Sequence, residues 1–251
     1  MSGDTVFRGS PGRRPLPCGR RDGGFTLIEL VIVLAVLTVL AAVMMTRLIS
    51  TRLNSNEASV IVTMREIASA QIRFQASARA DTDADGTGEF GFLKELTGAA
   101  GVRADARGRA LGAPLAPPLL PGSLRLLDGD GQLVRAGYFF RIFLPDAGGC
   151  GVGETQIFPV PTPVDPQRAE STWCCYAWPV NQGTSGGRTF FVNQSGALTW
   201  TEDDRYTKSR AFHLGDCGAA LLRTRDPLTD ITGQAAVGTK GRDGNLWFGV
   251  K

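Results

Sequence analysis

The sequence predicts an α+β fold: a long N-terminal helix, transmembrane over its first half, packed on a C-terminal antiparallel β-sheet domain. Three observations carry this. Phe25–Met45 is a run of 21 residues with a single charge, Glu29. Thr46–Ala80 continues it without a proline or a glycine. From Tyr138 onward, short runs rich in aromatic residues alternate with turn residues, which is the pattern of strands. The chain divides into a basic leader (1–24), a transmembrane half-helix (25–45), its amphipathic continuation (46–80) and a β-rich domain (81–251).

The apolar run is the first element. At ~1.5 Å rise per residue it makes ~31 Å of helix, close to the ~30 Å hydrocarbon core of a bilayer. The segment before it carries Arg8, Arg13, Arg14, Arg20 and Arg21 against Asp4 and Asp22, so the whole net charge of +3 sits there. A basic flank stays on the cytoplasmic side, which places the body on the other. The remainder is neutral and gives no electrostatic case for nucleic acid as a ligand. Secretory signals place their apolar stretch before the cut. Here it follows Gly24, so cleavage at Gly24 would remove the polar arm and leave the anchor.

Along the second half of the helix, Ile61, Met64, Ala68 and Ile72 follow helical spacing and predict one apolar stripe. Arg65, Glu66, Arg73 and Gln75 fall mostly off it. Asp81-Thr-Asp83-Ala-Asp85-Gly86-Thr-Gly88-Glu89 then ends the helix. Alternating oxygens with glycine at the sixth position are how a Ca²⁺ loop begins, which makes Asp81, Asp83, Asp85 and Glu89 candidate calcium ligands. The twelfth position holds Phe92 instead of a glutamate, and a solvated acidic turn is the competing reading. Asp128-Gly129-Asp130-Gly131, between leucine-rich flanks, predicts a hairpin.

In the body, Phe90–Leu96 reads as a short helix and Gly98–Gly122 as an irregular excursion rich in Ala, Gly and Pro. Strands are predicted at Tyr138–Leu144, Trp173–Val180 and Arg188–Asn193. Asn193–Gly196 turns into a further strand at Ala197–Thr201, and Leu246–Phe248 closes the chain. The prolines between Pro159 and Pro166 mark a loop.

Residues 24–30, Gly-Phe-Thr-Leu-Ile-Glu-Leu, resemble the processing site of type IV prepilins and type II secretion pseudopilins. The resemblance is specific over 20–45 and tapers off beyond. Many relatives carry a proline just past the apolar run, where this chain has Thr46. It implies cleavage after Gly24 and methylation of Phe25 by a prepilin peptidase. It further implies a bacterial inner-membrane precursor with the body in the periplasm, and assembly into a filament with other pilin or pseudopilin subunits by inner-membrane machinery. Glu29 would pair with the new amine of a neighbouring subunit. The rival is a membrane-anchored periplasmic binding module that never polymerises. Crosslinking near Phe25 separates them, because only a filament subunit gives ladders.

Cys18 would leave with the leader. Cys150, Cys174, Cys175 and Cys217 remain, an even number in a body outside the cytoplasm, which predicts one or two disulfides. Neighbouring Cys174 and Cys175 point apart on a strand, and sequence leaves the connectivity open. His213, four residues before Cys217, raises zinc ligation or a Cys–His pair, but no Cys-x-x-Cys supports the metal. Neither a Gly-x-Ser-x-Gly elbow nor a phosphate loop after a strand is present, so no enzymatic activity is predicted.

Overall fold

The computed structural model describes residues 24–155, 159–207, 216–222 and 228–250, with the side chains at 43 and 45–48 left aside. The leader, Cys18 and His213 lie outside the described residues. The chain forms two compact units, Met1–Thr46 and Arg47–Lys251. Helix α1, Leu27–Ala76, runs through both.

In the first unit, apolar side chains of α1 are exposed on every side; Leu27, Val31, Leu34 and Leu37 are each more than half exposed. Among the described residues no helix is long and apolar enough to cross a membrane.

The second unit is the α+β body. Its helical part buries Val60, Met64, Ile67, Ala70 and Phe74. This corrects the predicted stripe: Met64 belongs to it, Ile61 and Ala68 are only partly buried, and Ile72 is 62% exposed. Val60-Ile61-Val62 offers three consecutive apolar residues, so two overlapping stripes fit the same periodicity. The one that wins includes Phe74, the bulkiest candidate. The helix ends at Ala76, where the Ser77 amide and hydroxyl both donate to the Phe74 carbonyl.

Strands β1 (Gly101–Arg103) and β2 (Leu111–Pro114) form a small antiparallel pair inside the stretch expected to be irregular. The main sheet contains β3 (Leu133–Arg135), β4 (Tyr138–Pro145), β5 (Gly151–Gly153), β6 (Cys174–Pro179), β7 (Thr189–Asn193), β8 (Thr199–Thr201), β9 (Thr239–Lys240) and β10 (Leu246–Gly249). Its order is β3-β4-β6-β7-β8-β10-β9, antiparallel throughout, with β5 sharing the β3 edge of β4. Short helices α2 (Leu93–Leu96) and α3 (Pro166–Ala169) flank it. The Asp128–Gly131 turn closes the predicted hairpin: Asp128 Oδ1 accepts from the Asp130 and Gln132 amides, and Leu127 bridges Leu133.

Both faces of the sheet are covered. Phe140, Ile142, Cys175, Ala177 and Val192 pack toward α1. Phe143, Cys174, Tyr176, Trp178, Phe191 and Trp247 pack on the opposite face, beneath Cys217–Leu221 and Ile231. Double coverage explains why β6, and β4 apart from the buried Arg141, read as apolar runs instead of alternating ones.

Candidate functional site

The first candidate is the start of α1. Gly24 and Phe25 precede the helix, and Phe25 is 78% exposed. Thr26 caps the helix: its Oγ1 accepts the Glu29 amide at 3.2 Å, and its carbonyl accepts the Leu30 amide at 3.2 Å. Thr26-Leu27-Ile28-Glu29 is therefore also a capping-box sequence, a local signal that the sequence reading of Glu29 missed. Glu29 is exposed in the first turn, where the helix dipole stabilises a carboxylate. The arrangement offers a slim, accessible backbone at Gly24, a free residue to follow it and an anion one turn inside.

The second candidate is the loop after α1. Carboxylate oxygens of Asp81, Asp83 and Asp85 lie within 4.8 Å of one another. Asp81 accepts the Asp85 and Gly86 amides, and Asp85 accepts the Thr87 amide at 2.7 Å. Gly86 takes φ +92°, which a side chain would resist. Glu89 departs from the predicted ligand set. It is buried, its Oε1 holds the Thr82 amide and hydroxyl, and its Oε2 faces Arg103 at 3.6 Å. Its carboxylate is committed to the body, so it fastens the loop and leaves the aspartates to solvent.

Glu170 joins the aspartates from α3, a neighbour no local sequence pattern announces. The pairing of the Phe90 amide with the Ala169 carbonyl (2.8 Å) brings it there. Burial, followed by the charges of Asp85, Asp83, Glu89 and Asp81, pushes the Glu170 carboxyl above its ordinary range.

Behind the loop lies a buried charge network. Arg103 Nε donates to Glu95 at 3.0 Å, and its Nη2 donates to the Phe90 carbonyl at 2.8 Å. Glu95 also accepts the Phe92 and Arg103 amides, and Glu154 accepts the Leu93 and Lys94 amides. These groups orient α2, and each has its partners within the body.

In this structure Cys150, Cys174, Cys175 and Cys217 are not bonded to one another, where the sequence predicts one or two disulfides. Cys174 and Cys175 lie on opposite faces of β6. Cys175 shares its face with no other cysteine among the described residues, which rules out two simultaneous bonds. Cys174 Sγ lies 3.7 Å from the Cys217 carbonyl oxygen. Cys217 Sγ lies 2.9 Å from the Thr229 carbonyl, and Cys150 Sγ lies 3.3 Å from the Thr229 hydroxyl. Burial pushes the Cys174 thiol up and the Cys217 thiol up to about 12. Such thiols are poor nucleophiles at neutral pH.

Fold and helix start together define a helix-led α+β protein with an exposed, capped helix start. Residues 19–45 match the prokaryotic N-terminal methylation motif, the signature of type IV pilins and pseudopilins. The match covers the end of the leader and the apolar helix and stops before the body. No curated protein and no solved structure matches the chain.

Proposed function

We propose that this chain is a pilin-like subunit, a pseudopilin of a type II secretion system or a relative in a type IV pilus-like filament. The observation that carries the reading is the methylation motif over 19–45, set directly on the capped start of the 50-residue helix α1. Prepilin peptidase cuts after Gly24 and methylates Phe25. The apolar run Phe25–Met45 holds the precursor in the inner membrane with its body outside the cytoplasm. On extraction, apolar helices of neighbouring subunits cover one another, which removes from lipid the surface that the isolated helix exposes. The charge of Glu29 is costly at that depth unless paired, and the new amine of an adjacent Phe25 supplies the partner and sets the register. The work is mechanical; the body determines which neighbours or cargo the filament meets.

The intact mass of the chain from membranes tests this. A chain beginning at Phe25, with or without a methyl group, is expected. A chain still beginning at Met1, in cells with an active prepilin peptidase, would overturn processing and leave an anchored module that does not polymerise.

A further inference from the structure

We propose that Cys174 and Cys217 form the one disulfide of the mature body, bolting the segment around Cys217 to the first residue of β6, and that Cys150 and Cys175 stay reduced. The inference rests on the placement of the body outside the cytoplasm, where disulfides persist.

Cys174 points from β6 into the aromatic face that holds Tyr176 and Trp178, and Cys217 is buried in that same cluster. The residues that follow Cys217 anchor its backbone over the sheet. The Gly218 amide donates to the Leu228 carbonyl at 2.6 Å, and the Ala220 amide donates to the Tyr176 hydroxyl at 3.0 Å.

Cys150 is the rival, because it also neighbours Thr229. Its direction excludes it. A Cβ built on Gly151 would meet Cys217 Sγ at 2.7 Å, so the bare side of Gly151 is the one that faces Cys217. Successive residues of extended chain project to opposite sides. Cys150, which bridges Asp230 as β5 begins, therefore projects away and meets the Thr229 hydroxyl instead. Cys175 lies across the sheet, beside Ile142 and Val192.

The oxidant is the disulfide of an extracytoplasmic thiol–disulfide oxidoreductase. The Cys174 or Cys217 thiolate attacks it and forms a mixed disulfide. The second thiolate attacks the chain's own sulfur, the Sγ–Sγ bond forms, and the oxidoreductase leaves as a dithiol. Two electrons and two protons pass from the chain to the oxidant. Both thiols are deeply buried once folded, so exchange precedes closure of the Cys217 segment over the sheet.

The test is peptide mapping without reduction. Full-length chain in detergent is unfolded with reductant and refolded in a glutathione redox buffer. Once its thermal transition has returned, free thiols are blocked with N-ethylmaleimide. A peptide pair joining Cys174 to Cys217, with label on Cys150 and Cys175, is expected. That pair should persist in Cys150→Ser and vanish in Cys174→Ser. A Cys150–Cys217 bond, or four labelled cysteines in the refolded wild type, would overturn the proposal. The same mapping on chain trapped directly from cells reads the placement separately. Four thiols there, beside a Cys174–Cys217 bond after refolding, would overturn the extracytoplasmic body and uphold the pair.

Discussion

Glu154 caps the helix that carries Lys94: its Oε2 accepts the Leu93 amide at 2.8 Å and its Oε1 accepts the Lys94 amide at 2.9 Å. The carboxyl is fully buried, and burial raises it to about 7 against the pull of those amides and of the Lys94 ammonium. Between about 4.5, the ordinary value that the unfolded chain retains, and about 7, the folded state holds a proton that the unfolded state has lost. Stability is therefore complete below about pH 4.5 and falls as the pH rises to about 7, by on the order of 3 kcal/mol from this group. Urea midpoints measured across that window should decline, and Glu154→Gln should flatten the decline while costing about 1 kcal/mol for one lost amide bond. An unchanged slope in the variant would show that another group governs the window.

Gln71 substitutes for a strand partner. Its side chain donates to the Gly91 carbonyl at 2.7 Å and accepts the Gly91 amide at 2.9 Å, fully buried. Gly91 also lies against the Phe74 ring, where a Cβ would meet Cε1 at 2.7 Å. Gln71→Leu should leave one buried donor and one buried acceptor unpaired, at roughly 1–3 kcal/mol each. Equilibrium urea unfolding measures it; a loss below about 0.5 kcal/mol would mean the Gly91 groups find replacement partners.

The acidic loop should be stabilised by removing charge. Asp81, Asp83, Asp85 and Glu170 repel one another, and Glu170→Gln deletes a charge without changing the shape. At low salt Glu170→Gln should melt slightly above the wild type, a gain of under about 1 kcal/mol in stability for groups this accessible. Millimolar calcium should raise the wild type further and leave Asp83→Ala unmoved. Identical melting curves with and without calcium would reduce the cluster to a solvated turn.

These groups also show where sequence is and is not legible. The strands β4, β6, β7 and β10 declare themselves through Phe140, Tyr176, Phe191 and Trp247, because aromatic density survives whichever face is buried. The face does not declare itself. Cys174 and Cys175 alternate by geometry, yet which one meets Cys217 depends on a segment more than 40 residues away. Strands β1 and β2 sit among glycines and prolines and pair locally, and of the two only β1 carries a buried apolar residue, Val102; β2 is exposed throughout. Glu89 reads as a loop ligand by spacing. Its burial follows from Arg103, which nothing in residues 81–92 foretells. The methylation motif is legible because its residues are local: Gly24, Phe25 and Glu29 fall within six positions, whereas the Thr26 cap between them is read from the structure.

Glu29 has two available roles, and a pair of substitutions separates them. As a capping-box residue it would serve its own helix, and its loss would resemble the loss of the Thr26 cap, about 1 kcal/mol of fraying at the start. As the partner of a neighbouring Phe25 amine it would be dispensable for insertion and required for assembly. Glu29→Ala should therefore insert and be processed normally yet yield no filament. Thr26→Val, which keeps the shape and removes the capping oxygen, should still assemble. Filament yield by shearing and sedimentation, with N-terminal mass as the control for processing, reads both. Equal yields from the two variants would assign Glu29 to the cap alone and remove it from subunit register.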